Sequence, residues 1–264
     1  MAIELAYRIV DVFSDEPLSG NALCVVTDPC PEALQPAIAR EVNLSETTFP
    51  VATGDQAYEM RIFTPDDELP FAGHPSLGTA WVMGPGRWDQ TTPGGAVSIE
   101  ADDDGAVMAV PDPTVVEVDG AGASTALGLP SHERAFLADA SGMRHVVVLT
   151  ATPIGALRPD MVAVAAAARL AGGRSLCVVR LIDDTTLQAR VFLPGSGIPE
   201  DPGTGSAAGP IALLARQEWG TDEDVTILQG AEMGRPCRME VHAEPGAARV
   251  GGRVVQSATG HFTL

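Results

Sequence analysis

Four side chains in this sequence stand where they could move or hold protons: Glu46, His74, Asp201 and Ser206. His74 lies between Gly73 and Pro75, so it belongs to a turn or a helix start and not to a mid-helix surface. It is either a turn histidine or a site residue, and histidine is the side chain whose charge changes near neutrality. Asp201 follows Glu200 and leads through Pro202 into Gly203-Thr204-Gly205-Ser206. Asp or Ser ahead of a helix is a favoured cap, which would account for either residue alone. Two adjacent acids rarely both serve as caps. Glu46 opens the run Glu-Thr-Thr-Phe-Pro-Val, where a solvated Glu is commonplace and no local motif marks it. Both Gly73-His74-Pro75 and Gly203-Thr204-Gly205-Ser206 put free backbone N–H groups at a helix N-terminus, where the dipole favours a carboxylate or phosphate. The chemistry that suits such a set is proton transfer on a small acidic substrate held by its anionic group.

Two stretches must position these residues, and they resemble each other. Arg61–Met83 reads RIFTPDDELPFAGHPSLGTAWVM, and Arg190–Trp219 reads RVFLPGSGIPEDPGTGSAAGPIALLARQEW. Each is Arg-aliphatic-Phe-X-Pro, a second proline five residues on, a Gly-bearing loop and a small-residue helix, and the second copy starts 129 residues after the first in a chain of 264. A repeat at half the chain length implies two similar halves, with His74 from one and Asp201 from the other meeting in a cleft between them.

The helices at Pro75–Met83 and Gly205–Trp219 are apolar nearly all round, so each should be buried on every side by a surrounding sheet. Further helices are expected over Pro31–Val42 and Pro159–Ala171. Strands are expected at Ile3–Phe13, Ala22–Thr27, from Glu46, at Tyr58–Thr64, Arg134–Asp139, His145–Thr150, Ser175–Ile182, Thr186–Phe192, Val225–Gln229, Cys237–Ala243, Ala248–Val255 and His261–Leu264. Val97–Glu100 and Ala106–Val110 read as a hairpin across Asp102-Asp103-Asp104-Gly105. That acidic turn lacks the further ligands of a calcium loop. The Pro- and Gly-rich stretch 111–122 reads as a domain boundary.

Composition narrows the function classes. Apolar residues make up 45% and charged residues 19%, a globular balance. A net charge of −19 argues against nucleic acid and anionic membranes as partners. All 16 basic residues are arginine, so Schiff-base and pyridoxal chemistry and a P-loop lysine are excluded. Cys24, Cys30, Cys177 and Cys237 form no C-x-x-C and no Cys/His set with zinc spacing. Three of them sit in apolar or strand-like runs and read as core thiols, which fits a reduced, cytoplasmic compartment. No signal peptide is apparent, and Met161–Gly173 is too short to span a bilayer. The expected chemistry is therefore free of metal and cofactor.

The stretches DVFSDEPLSGNALCVV, NLSETTF, RIFTPDDELPFAGHPSLGTA, EDPGTGSAAGP and LQGAEMGRP occur in that order between residues 11 and 236. Together they resemble the phenazine-biosynthesis isomerase (PhzF-like) family of the diaminopimelate epimerase-like fold. The resemblance implies an α+β architecture of two pseudosymmetric halves, each a barrel-like, mostly antiparallel sheet around a central apolar helix. The halves would be residues 1–115, joined by a return strand at 256–264, and residues 116–255, with the active site between them.

Carried over by position, Glu46 matches the family's acid/base glutamate, His74, Asp201 and Ser206 match its other polar site residues, and Gly73 a backbone donor to the ligand. Thr204 and Gly205 share the same helix mouth. Racemases and epimerases of this fold carry paired cysteines at the two mouths; here there is none, which argues against two-thiol chemistry. The phenazine enzyme of the family moves a hydrogen from C3 to C1 of trans-2,3-dihydro-3-hydroxyanthranilate. The resemblance thus implies an isomerase with Glu46 as proton shuttle, assembled as a homodimer. Two alternatives stay open: a lyase or hydrolase reusing the same glutamate, and a non-catalytic binder of small acids.

Overall fold

A computed structural model of the chain describes residues 3–140, 142–195 and 197–264. Ser196 lies outside them. The chain forms two compact units. One runs up to Ala109 and resumes over Gly251–Leu264; the other is Val110–Val250.

The first unit contains β1 (Glu4–Val12), β2 (Asn21–Val26), α1 (Gln35–Val42), β3 (Glu46–Gly54), β4 (Ala57–Phe63), β5 (Glu68–Leu69), α2 (Gly73–Met83), β6 (Gly86–Thr92), β7 (Gly95–Ala101) and most of β8 (Gly105–Pro111). The second contains β9 (Thr114–Val118), α3 (Ala121–Leu127), β10 (Ala135–Ala140), β11 (Met143–Leu149), α4 (Met161–Leu170), β12 (Ser175–Asp183), β13 (Thr186–Phe192), β14 (Glu200–Asp201), α5 (Gly205–Trp219), β15 (Asp224–Gln229) and β16 (Cys237–Glu244). β17 (Ala247–Thr263) starts in the second unit and returns the chain to the first.

In the first unit eight strands close into a ring, β1-β2-β3-β4-β6-β7-β8-β17, with β17 pairing both β8 and β1. β2–β3 and β4–β6 are parallel, whereas β1–β17, β1–β2, β3–β4, β6–β7 and β7–β8 are antiparallel. α2 lies against β1, β2, β3 and β7, and its residues from Gly73 to Ala80 are all buried. Sheet on every side leaves such a helix no polar face, and its near-uniform small apolar sequence follows. Gly78 sets the clearance: a Cβ there would sit 2.7 Å from Leu23 Cδ2 and 2.8 Å from Val12 Cγ2.

The second unit repeats the connectivity. β11–β12 and β13–β15 are its parallel pairs, at the places of β2–β3 and β4–β6. α5 touches β9, β10, β11, β12 and β16, and is buried from Gly205 to Ala215. The repeat reaches individual side chains. Arg61 forks onto Glu68 (Nε–Oε1 2.7 Å, Nη2–Oε2 2.8 Å) and lies over the Phe63 ring. Arg190 forks onto Glu200 (2.8 and 2.9 Å) and lies over Phe192. The Arg-X-Phe and acid of each copy are thus a structural clamp between neighbouring strands.

Several expectations need correction. Ala248–Val255 and His261–Leu264 are one continuous strand, β17. Its glycines are points of close approach and not breaks. A Cβ at Gly251 would meet Val107 Cγ2 at 2.5 Å, and one at Gly260 would meet the Tyr7 hydroxyl at 2.7 Å. The stretch from Pro111 begins just past the division between the units at Ala109/Val110, and it holds a strand that was not expected, β9, paired with β10, before leading into α3, which packs on α4. β6, with the polar sequence GRWDQTT, was not expected as a strand at all. The Asp102–Gly105 turn is closed by its own first residue, whose Oδ1 accepts the N–H groups of Asp104 and Gly105, both at 2.8 Å.

Candidate active site

The first unit brings Glu46, Gly73 and His74 together. Asn43, at φ 52°, ends α1 in the left-handed region, so the chain turns at once into β3 and Glu46 opens that strand beside β2. Gly73 and His74 are the first two residues of α2, which has no side-chain cap, so the donors of its first turn are left for another partner. His74 is 4% exposed, and its Nε2 stands 3.3 Å from Glu46 Oε2, near but not aligned as a hydrogen bond. Its Nδ1 is 3.2 Å from Asn21 Nδ2. With the Asn21 amide nitrogen toward the ring, Nδ1 accepts from it, which places the ring proton on Nε2, facing the carboxyl group.

Burial lowers the His74 pKa from 6.5 to about 3, so the ring is neutral at physiological pH. The consequence is chemical. A neutral ring faces the Glu46 carboxyl group with an N–H and without a positive charge. Glu46 keeps 15% of its side chain accessible, enough to meet a small molecule.

In the second unit the acidic pair divides its labour. Glu200 is committed to Arg190, whose guanidinium also donates to Ile154 O and Leu157 O at 3.0 and 2.9 Å. Asp201, 8% exposed, is the acid at the helix mouth. It is not the cap of α5: it lies on β14, and Thr204 Oγ1 donates to its Oδ2 at 2.5 Å. Gln229, on β15, ties this corner together. Its Nε2 donates to Asp201 O (2.7 Å) and Thr204 Oγ1 (3.0 Å), and its Oε1 accepts from Thr204 N–H (3.3 Å). Ser206 is not the cap either. Thr204 holds that position, Gly205 opens the helix, and Ser206 is the second helical residue. Its Oγ lies 3.1 Å from His145 Nε2, and His145 Nδ1 is 2.7 Å from Ser175 Oγ.

Sequence reasoning missed Asn21, His145, Ser175 and Gln229. Asn21 and Gln229 lie inside stretches already singled out, SGNALCVV and LQGAEMGRP, but read there as a turn residue and a strand end. His145 and Ser175 begin apolar strands and carry no motif; only their burial, 2% and 1% exposed, marks them. Among the described residues no group of His, Cys, Asp and Glu could hold a metal ion. The four cysteines form no disulfide, and among the described residues no helix is long and apolar enough to cross a membrane.

Known proteins resemble the chain over nearly its whole length. The model of the family described as phenazine biosynthesis-like protein (PhzC-PhzF) matches residues 10–260. The trans-2,3-dihydro-3-hydroxyanthranilate isomerase of Pseudomonas aeruginosa is 39% identical over 265 residues, 92% of each chain. A crystal structure of a PhzF-family phenazine biosynthesis protein from Bacillus anthracis superposes with a TM-score of 0.86 at 20% identity, covering 99% of this chain and 100% of that one. A hydroxyproline epimerase from Agrobacterium vitis shares the fold at 12% identity and a TM-score of 0.68, covering 99% and 93%.

Proposed function

The chain belongs to the phenazine biosynthesis-like (PhzC-PhzF) family and is an isomerase, and from that premise we propose that it moves a hydrogen from C3 to C1 of trans-2,3-dihydro-3-hydroxyanthranilate, or of a similar small cyclic amino acid, with Glu46 as the proton carrier. The observation that carries this reading is the pairing of Glu46 with a histidine held neutral, its Nε2 at 3.3 Å.

As proposed, the Glu46 carboxylate accepts the C3 proton, the electron pair shifts through the ring's conjugated system, and the same carboxyl group returns a proton to C1. The C3 hydroxyl is left on a double bond as an enol, which tautomerises to the ketone. Atoms balance without any other reactant. His74 carries its single neutral-ring proton and no second, acidic one to compete, since its imidazolium is disfavoured by burial. The backbone donors at Gly73 and the residues Asp201, Thr204, Gly205 and Ser206 serve to hold the substrate's polar groups. A carboxylate is the natural partner of an uncapped helix N-terminus.

The experiment is to incubate the protein with trans-2,3-dihydro-3-hydroxyanthranilate, following ultraviolet absorbance and product mass. The expected product has the mass of the substrate and a ketone. A change of mass by water or another fragment would replace the isomerase reading with a lyase or hydrolase. Tight binding without turnover, and without solvent deuterium entering the ligand, would make the protein a binder. The homodimer that accompanies this reading is checked by sedimentation of the purified protein, where a monomer would remove it.

A further inference from the structure

We propose that His145, to which nothing in the reading above gives a part, is a positioning residue that fixes Ser206 as a hydrogen-bond donor toward an anionic oxygen of the substrate. The inference rests on the reading of Ser206 as a substrate-holding residue.

Four buried groups stand in line: Cys177 Sγ, 3.8 Å from Ser175 Oγ; Ser175 Oγ, 2.7 Å from His145 Nδ1; and His145 Nε2, 3.1 Å from Ser206 Oγ. Ser206 is 6% exposed, so its hydroxyl has few directions to point. A neutral imidazole has one donor and one acceptor nitrogen, so the chain must run one way or the other. If it ran from Ser206 to Ser175, Ser206 would spend its hydrogen on His145 and offer the substrate only lone pairs. In the opposite direction, Ser175 donates to Nδ1, Nε2–H donates to Ser206 Oγ, and the Ser206 hydrogen is free for the ligand.

Two observations select the second direction. The Cys177 thiol stays protonated, its burial holding the sulfur from ionising, and an S–H at the far end can donate to Ser175 but draws little from it. At the near end, Ser206 lies in the first turn of the uncapped α5, where the helix dipole calls for a negative ligand and therefore for a donor beside it. The first unit shows the same assignment by another route: Asn21 holds His74 as the Nε2–H tautomer. Both mouths then present an Nε2–H imidazole behind the residue that meets the substrate.

The test has two arms. Nitrogen-15 chemical shifts of the imidazoles in the ligand-free wild-type protein report the tautomer directly. The Nε2–H form is expected for His145, and the Nδ1–H form overturns the proposal with no variant needed. The second arm is calorimetric affinity for anthranilate, a stable ring carrying the same carboxylate and amine. His145→Leu should weaken binding about tenfold, as loss of the oriented donor implies, while His145→Gln, whose amide can reach the Nε2 position, should restore most of it. If Ser206→Ala weakens binding but His145→Leu does not, His145 has no positioning part. If Ser206→Ala binds as tightly as the wild type, or the wild type does not bind anthranilate at all, the substrate-holding reading of Ser206 falls and the proposal falls with it.

Discussion

At the scale of single residues, burial controls the two site histidines. Both His74 and His145 are held neutral, with pKa values lowered from 6.5 to about 3 and about 4. Burial is the main cause; for His145, Asp139 opposes it and Arg174 adds to it. In the unfolded chain both would bind protons below about 6.5. Between about pH 4 and 6 the unfolded state therefore holds more protons than the native one, and stability falls as pH falls. Above pH 7 these two residues contribute no slope. The expected loss approaches two protons' worth, about 2.7 kcal/mol per pH unit, in urea denaturation across that window. His145→Gln should remove about half of the excess slope. An unchanged slope in the variant would mean that His145 is solvated and protonates freely. Neither histidine's environment was legible in the sequence: Gly-His-Pro marked His74 as unusual, but the burial that sets its charge comes from the barrel wall.

At the scale of elements, the two copies of the Arg-X-Phe strand offer an internal control on what an ion pair is worth. Arg61–Glu68 is a third exposed on each side, at 35% and 32%, whereas Arg190–Glu200 has 5% and 16%. The same fork should count differently in the two places. Glu68→Gln is expected to cost no more than about 1 kcal/mol, as for surface pairs. Glu200→Gln, which strips a buried guanidinium of its charge partner, should cost about 3–5 kcal/mol. Equal losses in chemical denaturation would contradict the burial difference. This clamp also shows where sequence reasoning went astray. Two adjacent acids drew attention as chemistry, yet Glu200 is taken by Arg190 and the remaining acid, Asp201, is held by Thr204. The central helices were legible because all-round burial leaves a compositional trace. β6 and β9 were not, since polar and Pro-flanked strands look like loops until their neighbours pair with them. β17 was cut in two because glycine is read as a breaker when the partner strand that requires it is out of sight.

At the scale of the whole molecule, duplication gives two copies of one connectivity with different chemistry at their helix mouths. Thr47 pairs with Phe63 and Leu176 pairs with Phe192, so the residues just before them, Glu46 and Ser175, hold matching positions. A carboxylate stands at that position in the first unit and a hydroxyl in the second. A carboxyl group at only one of the two positions suits the proposed single proton shuttle better than a pair of opposed bases, and the strand registers, not the sequence repeat, bring out this asymmetry. The most direct test is the Glu46→Gln variant with trans-2,3-dihydro-3-hydroxyanthranilate, read by the appearance of a product of unchanged mass. Gln keeps the shape beside His74 and removes the proton carrier, so kcat should fall by about 10²–10⁴ while the circular-dichroism spectrum and thermal midpoint stay those of the wild type. A folded Glu46→Gln protein that turns over at the wild-type rate would contradict the account.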